Sequence, residues 1–100
     1  MADQYPITQE EFRAWLETFP PYRLCGNRRD ISDNPLTRYL KARGDRAVAG
    51  GAWVLADGKE YGTPEWARLF LFGIARESRP YCVTARTALR LLDRVSEVAS

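Results

Sequence analysis

Histidine is absent from this chain, and cysteine is nearly so, with Cys25 and Cys82 far apart in sequence. Zinc sites draw mainly on those two residue types, so the chain lacks the ligands for one. Asp30 and Asp33 are close enough to share a calcium ion, but their segment lacks the further oxygen ligands of a calcium loop. Nucleophilic catalysis meets the same shortage. Cys25 stands near Arg28, which would lower a thiol pKa, yet no histidine base completes the pair. The acids Asp30, Asp33, Asp57 and Glu60 have no spacing that brings two of them together for hydrolysis. The sequence therefore predicts no metal, no cofactor and no catalytic residue, and leaves a small enzyme of unrecognised type as the least favoured reading.

Long apolar runs are also missing. The longest apolar-rich stretch, from Trp66 to Ala75, contains Arg68 and falls short of the roughly 20 residues that span a bilayer. The opening Met-Ala-Asp-Gln-Tyr-Pro has no basic patch followed by an apolar stretch, the pattern of a secretion signal. A soluble cytoplasmic protein without membrane contact is expected, with both cysteines reduced and packed as small buried side chains.

Lysine is scarce as well: two against thirteen arginines, in a chain whose net charge is only +2. Coding bias accounts for an arginine excess but not for its clustering. Residues 1–20 carry four acids and Arg13 alone, whereas residues 21–46 carry seven basic residues against three acids. At 100 residues, 45% hydrophobic and 28% charged, the composition is globular and predicts one domain over residues 1–100.

Thr8 followed by Glu11 fits a capping box, and Phe12, Trp15, Leu16 and Phe19 then form one apolar stripe that Pro20-Pro21 ends. This predicts a first helix over about 9–19. Residues 20–34 lack a period and are rich in turn formers, which reads as an irregular connection. Asn34 as cap and Pro35 as first residue open a second helix over about 35–43. Residues 52–56, the Asp57-Gly58 turn and Lys59-Glu60-Tyr61 make a hairpin, and Val48 before Gly50-Gly51 offers a third short strand. Thr63 as cap and Pro64 open a third helix, about 64–77, apolar around almost its whole circumference and so suited to the core or to a partner. Thr84 caps a last amphipathic helix reaching about Val98. On it, Arg86, Arg90 and Arg94 are expected to pair with Asp93 and Glu97 on the same face.

The expected fold is α+β, four helices around a two- or three-stranded antiparallel sheet in the order α-α-β-β-α-α. Its core would hold Phe12, Trp15, Leu16, Leu36, Tyr39, Leu40, Val54, Trp66, Leu69, Phe70, Ile74, Leu92 and Val95. Alanine at Trp66 or Phe70 would then cost about 3–5 kcal/mol.

Two local patterns carry no chemistry. Gly62-Thr63-Pro64-Glu65-Trp66 is like the end of a kinase activation segment, but the chain has no room for the other kinase parts. Gly50-Gly51 lacks the Gly-Lys-Ser/Thr ending of a phosphate loop and reads as a turn or bulge.

Asn34-Pro35-Leu36-Thr37-Arg38-Tyr39-Leu40, followed by Pro64-Glu65-Trp66-Ala67-Arg68-Leu69-Phe70, resembles a pairing found in small uncharacterised proteins of bacteria and their phages. The resemblance covers about residues 34–70. It implies two helix starts with aromatic core residues flanking a small hairpin, and it brings no activity.

For function, the missing chemistry together with arginine and aromatic residues, which are enriched at interface hot spots, favours a non-enzymatic protein-protein interaction module. A phage-encoded or host accessory protein that binds and inhibits a larger machine fits that description. The candidate partner-binding residues are Arg28, Arg29, Arg43 and Arg46, since guanidinium forks match carboxylate and phosphate oxygens. The bland reading is a solvated face paired with Asp30, Asp33 and Asp45. Nucleic-acid binding is the alternative, with Arg38 and Lys41 joining the set and Tyr22 or Trp53 stacking on bases. The modest net charge and the lack of a helix-turn-helix or RNA-recognition signature weigh against it. Phe72, between Arg68 and Arg76 on the third helix, is expected at the rim or in water, where it would anchor a homodimer unless the first or last helix covers it.

Overall fold

The chain folds as Gln9–Glu17 (α1), Leu24–Asn27 (β1), Pro35–Ala42 (α2), Ala47–Ala49 (β2), Trp53–Ala56 (β3), Lys59–Gly62 (β4), Glu65–Ala75 (α3), Cys82–Thr84 (β5) and Ala85–Ala99 (α4). The structure, a computed structural model, describes residues 3–27, 30–76 and 82–99, with side chains as far as Val95. It is α+β, with four helices and two small antiparallel sheets. The Cα radius of gyration is 12.4 Å, close to the about 13 Å usual for a domain of this length.

The three-stranded sheet runs β2-β3-β4. Its register is set at the Asp57-Gly58 turn, where both residues take positive φ, 50° and 77°, the geometry of a two-residue hairpin. Leu55 therefore faces Glu60, and Ala56 faces Lys59. Val48, expected in an optional third strand, lies in β2 opposite Leu55.

The second sheet corrects the expected order. β1 falls in the segment that reads as an irregular connection and pairs with β5, just before α4, giving α-β-α-β-β-β-α-β-α. Both strands are too short to show a period, their partners are distant in sequence, and a bulge between Leu24 and Gly26 breaks the alternation. Gly26 is fixed here by geometry: its φ is +152°, and a Cβ would stand 2.6–2.7 Å from the backbone of Asp33, Asn34 and Pro35. That close approach lays β1 against the start of α2.

Helix starts follow the capping residues with two changes. Thr8 Oγ1 accepts from Glu11 N at 3.2 Å, but the Glu11 carboxylate accepts from the Tyr39 hydroxyl. Thr63 does not cap α3: Pro64 holds the cap position, and the Thr63 hydroxyl donates to Gly50 O at 2.8 Å, tying the helix start to the sheet connection. Thr84 Oγ1 accepts from Thr87 N as expected. On α4, Asp93 pairs with Arg13 of α1 and so bridges two helices; the Glu97 side chain, the other acid expected to pair on this face, lies outside the described residues.

The core gathers around Phe12, fully buried, with Trp15, Tyr39, Trp66 and Phe70 rings at centroid distances of 5.1–6.1 Å. Ten of the expected core residues are buried; Trp15, Trp66 and Leu69 pack only at its edge. Periodicity identified their face of the helix but not their depth. Ile7, Leu71, Val83, Leu91 and a set of alanines complete the interior. Cys25 is buried, Cys82 is half-buried, and both are free thiols.

Candidate functional site

Strict alternation divides the three-stranded sheet into two faces. Ala47, Ala49, Val54 and Ala56 point inward and are buried, while Val48, Trp53, Leu55 and Glu60 belong to the outer face. An outer sheet face in contact with water is ordinarily polar. Here Leu55 is 42% exposed, and the neighbouring segments add Ile31 at 43% and Phe72 at 47%.

Gly50 and Gly51 bring Ile31, Trp53 and Phe72 close to one sheet connection. A Cβ at Gly50 would lie 3.7 Å from Ile31 and 3.8 Å from the Trp53 ring, and one at Gly51 would lie 3.2 Å from the Phe72 ring. The glycines thus let both rings sit close against the sheet connection. A hollow of about 380 Å³ opens there, lined by Ile31, Gly50, Gly51, Leu71, Phe72 and Ala75, with Asp30 and Asn34 at its polar end. Ile31 is held in place because its carbonyl accepts from the buried Thr37 hydroxyl at 2.6 Å. The adjoining Asp30 carboxylate accepts from Ser32 N and its hydroxyl.

The edges of this sheet are largely closed. Along β4, Gly62 N donates to Asp3 O at 2.8 Å and Tyr5 N donates to Gly62 O at 3.0 Å. Along β2, Ala49 N donates to Thr37 Oγ1 and Ala49 O accepts from the Asn34 amide. Strand addition is blocked at those points, which leaves the face as the accessible surface.

The four candidate partner-binding arginines have different settings. Arg43 lies at the surface but is engaged on several sides: its guanidinium donates twice to Asp45, once to Pro6 O, and lies over the Tyr5 and Tyr39 rings at 5.9 and 5.7 Å. The Tyr5 hydroxyl donates to the same Asp45 carboxylate at 2.6 Å. Arg43 is therefore a clamp on the N-terminal segment. Sequence position gave no sign of this, because the clamp depends on Tyr5. Arg46 is exposed and lines a second hollow with Lys41, Val48, Leu55 and Asp57, beside the apolar face. Arg28 and Arg29 lie outside the described residues. Phe72 is exposed, as its position on the helix suggested, and the sequence signals for Ile31 and Leu55 as its companions were missing because both depend on tertiary placement.

The Asp45 cluster yields a pH prediction. The Arg43 hydrogen bonds hold the Asp45 carboxyl below the usual carboxylate range, against the opposing effect of burial, and Arg38 does the same for Asp33. A depressed folded-state pKa contributes stability that is present above the unfolded value, about 3.9, and lost as pH falls through the folded value. Stability to urea should thus stay nearly level near neutrality and fall below about pH 4. Asp45→Asn should reduce that acid dependence, as read by unfolding midpoints at successive pH values.

Among the described residues, no three His, Cys, Asp or Glu side chains are grouped to hold a metal ion. No described helix is long and apolar enough to cross a membrane. The chain matches no protein-family model, no curated protein and no solved structure.

Proposed function

We propose that this chain is a non-enzymatic protein-interaction module that docks a protein partner, a second copy or a larger protein, on the outer face of its three-stranded sheet. The observation that carries this reading is the exposure of Ile31 and Phe72 from two separate segments at the Gly50-Gly51 connection, with Leu55 exposed on the same face of β3 as Trp53. Exposed apolar side chains clustered in this way and rimmed by charged groups are the ordinary make-up of a protein interface. Arg46 and Lys41 supply such a rim beside Leu55.

Nucleic-acid binding is the weaker reading. It needs free guanidinium groups aligned for phosphates, and Arg43 is committed to Asp45, Pro6 and two tyrosine rings. Among the described residues of the candidate set, Arg46 and Lys41 line one hollow, and Asp45 and Asp57 share it.

A second copy of the chain is the first occupant to test. Light scattering coupled to size exclusion at high micromolar concentration should detect a dimer that Phe72→Ser dissociates. A monomer at that concentration, or a dimer indifferent to Phe72→Ser, would exclude the homodimer and leave the face to a different protein.

A further inference from the structure

A third hollow, of about 250 Å³, lies between the end of α1, the start of β1 and the outer side of α2. Its lining residues are Trp15, Phe19, Leu24, Cys25, Arg23, Arg38 and Lys41. Trp15 and Phe19 meet edge to face at 4.9 Å and make an aromatic wall. Cys25 supplies a buried thiol whose pKa burial pushes up, so that surface is uncharged near neutrality. The volume is below the about 300–1,000 Å³ of small-molecule sites, and suits one inserted side chain.

Cations line the hollow, and no carboxylate does. The Arg23 guanidinium lies 5.4 Å from the Phe19 ring centroid. Arg38 is bound through two nitrogens to Asp33, and Lys41 Nζ donates to Ser32 O. Three of its lining residues are thus positive, with Arg38 bound to Asp33, around a pocket with an apolar wall. Tyr22, 80% exposed, and Leu24, 50% exposed, extend the apolar surface outward.

We infer that this groove binds an acidic peptide segment of a protein partner, with one apolar side chain inserted between Trp15, Phe19 and Leu24 and carboxylates set against Arg23, Arg38 and Lys41. Charge complementarity selects the acidic flanks, and the wall selects the apolar anchor. Nucleic-acid bases fit less well. Stacking needs open ring faces, but Phe12 lies nearly parallel to Trp15 at 6.1 Å and Arg23 covers Phe19. Lys41 also borders the hollow that holds Arg46 and Leu55, so the groove continues the apolar sheet face around α2. The inference rests on the interaction reading in naming a protein as the partner, while using different residues.

The test uses the whole chain, isotopically labelled, and a short capped peptide of glutamates around one central leucine. Titration should shift the Trp15 indole and the Cys25 and Lys41 amides, with affinity that weakens as salt is added. The same peptide with lysines in place of glutamates should leave those signals unmoved. Arg23→Ser should weaken binding by about two- to fivefold, the range of an exposed ion pair, without disturbing the rest of the spectrum. Leu55→Ser with Phe72→Ser should leave peptide binding intact, so failure of the sheet-face reading is seen separately. No shift at millimolar peptide, affinity indifferent to Arg23→Ser, or displacement of the peptide by oligothymidylate would overturn the proposal.

Discussion

Replacing Phe12 with alanine will lower the unfolding free energy by about 3–5 kcal/mol, the usual cost of deleting a buried phenylalanine. Phe12 is fully buried and touches more of the aromatic cluster than any expected centre: its ring meets Trp15, Tyr39, Trp66 and Phe70. Four large rings around one site cannot close over a lost one, so the cavity term adds to the lost transfer energy. Typical domains hold only about 5–15 kcal/mol in total, so a large fall in the thermal midpoint is expected. Phe70→Ala belongs to the same range, since Phe70 is also fully buried. Trp66→Ala should cost less than Phe12→Ala, because Trp66 packs at the core's edge. Thermal unfolding of the three variants side by side checks this order, and a loss for Trp66→Ala equal to or larger than that for Phe12→Ala would move the centre of the core toward Trp66.

Gly26→Ala is expected to be similarly damaging, by about 3 kcal/mol, through a different mechanism. The new Cβ would meet backbone atoms of Asp33, Asn34 and Pro35 at 2.6–2.7 Å, and backbone cannot rotate away as a side chain does. The +152° φ adds strain for any residue with a Cβ. Relief would require β1 to move from α2, with loss of the Asn27 N to Asp33 O bond of 2.8 Å. Gly44→Ala is the matched control: its φ is also positive, but a Cβ there meets nothing within 4 Å. Chemical unfolding should therefore show a clearly larger loss for Gly26→Ala than for Gly44→Ala.

The legible parts of the sequence were those whose signals are local. Thr8, Asn34 and Thr84 each accept from a backbone N–H three residues on, and the Asp57-Gly58 turn closes the hairpin it suggests. The β1–β5 sheet was not legible, because a bulge and two very short strands leave no period and the pairing is a long-range event. Thr63 reads as a cap, yet its hydroxyl is drawn to Gly50 O once the sheet connection lies beside it. For the candidate site, helix position was enough to expose Phe72. The exposed face of β3 was not readable, because an apolar run such as Trp53-Val54-Leu55-Ala56 does not say which side is covered. The Arg43 pairing with Asp45 was the bland reading of the sequence, but its contacts with Tyr5 and Pro6 were not readable, because those residues come from a segment remote in sequence.

The most direct test of the interaction reading is affinity capture from the source cell with the wild-type chain and with a Leu55→Ser/Phe72→Ser double variant, both after nuclease treatment. Leu55 and Phe72 are exposed, so the variant should keep the wild-type circular dichroism and thermal midpoint. The account predicts that the wild-type chain retains a protein in near-stoichiometric amount at high salt and that the folded double variant loses it. Retention of the same protein by the double variant, or release of the partner by nuclease alone, would contradict it.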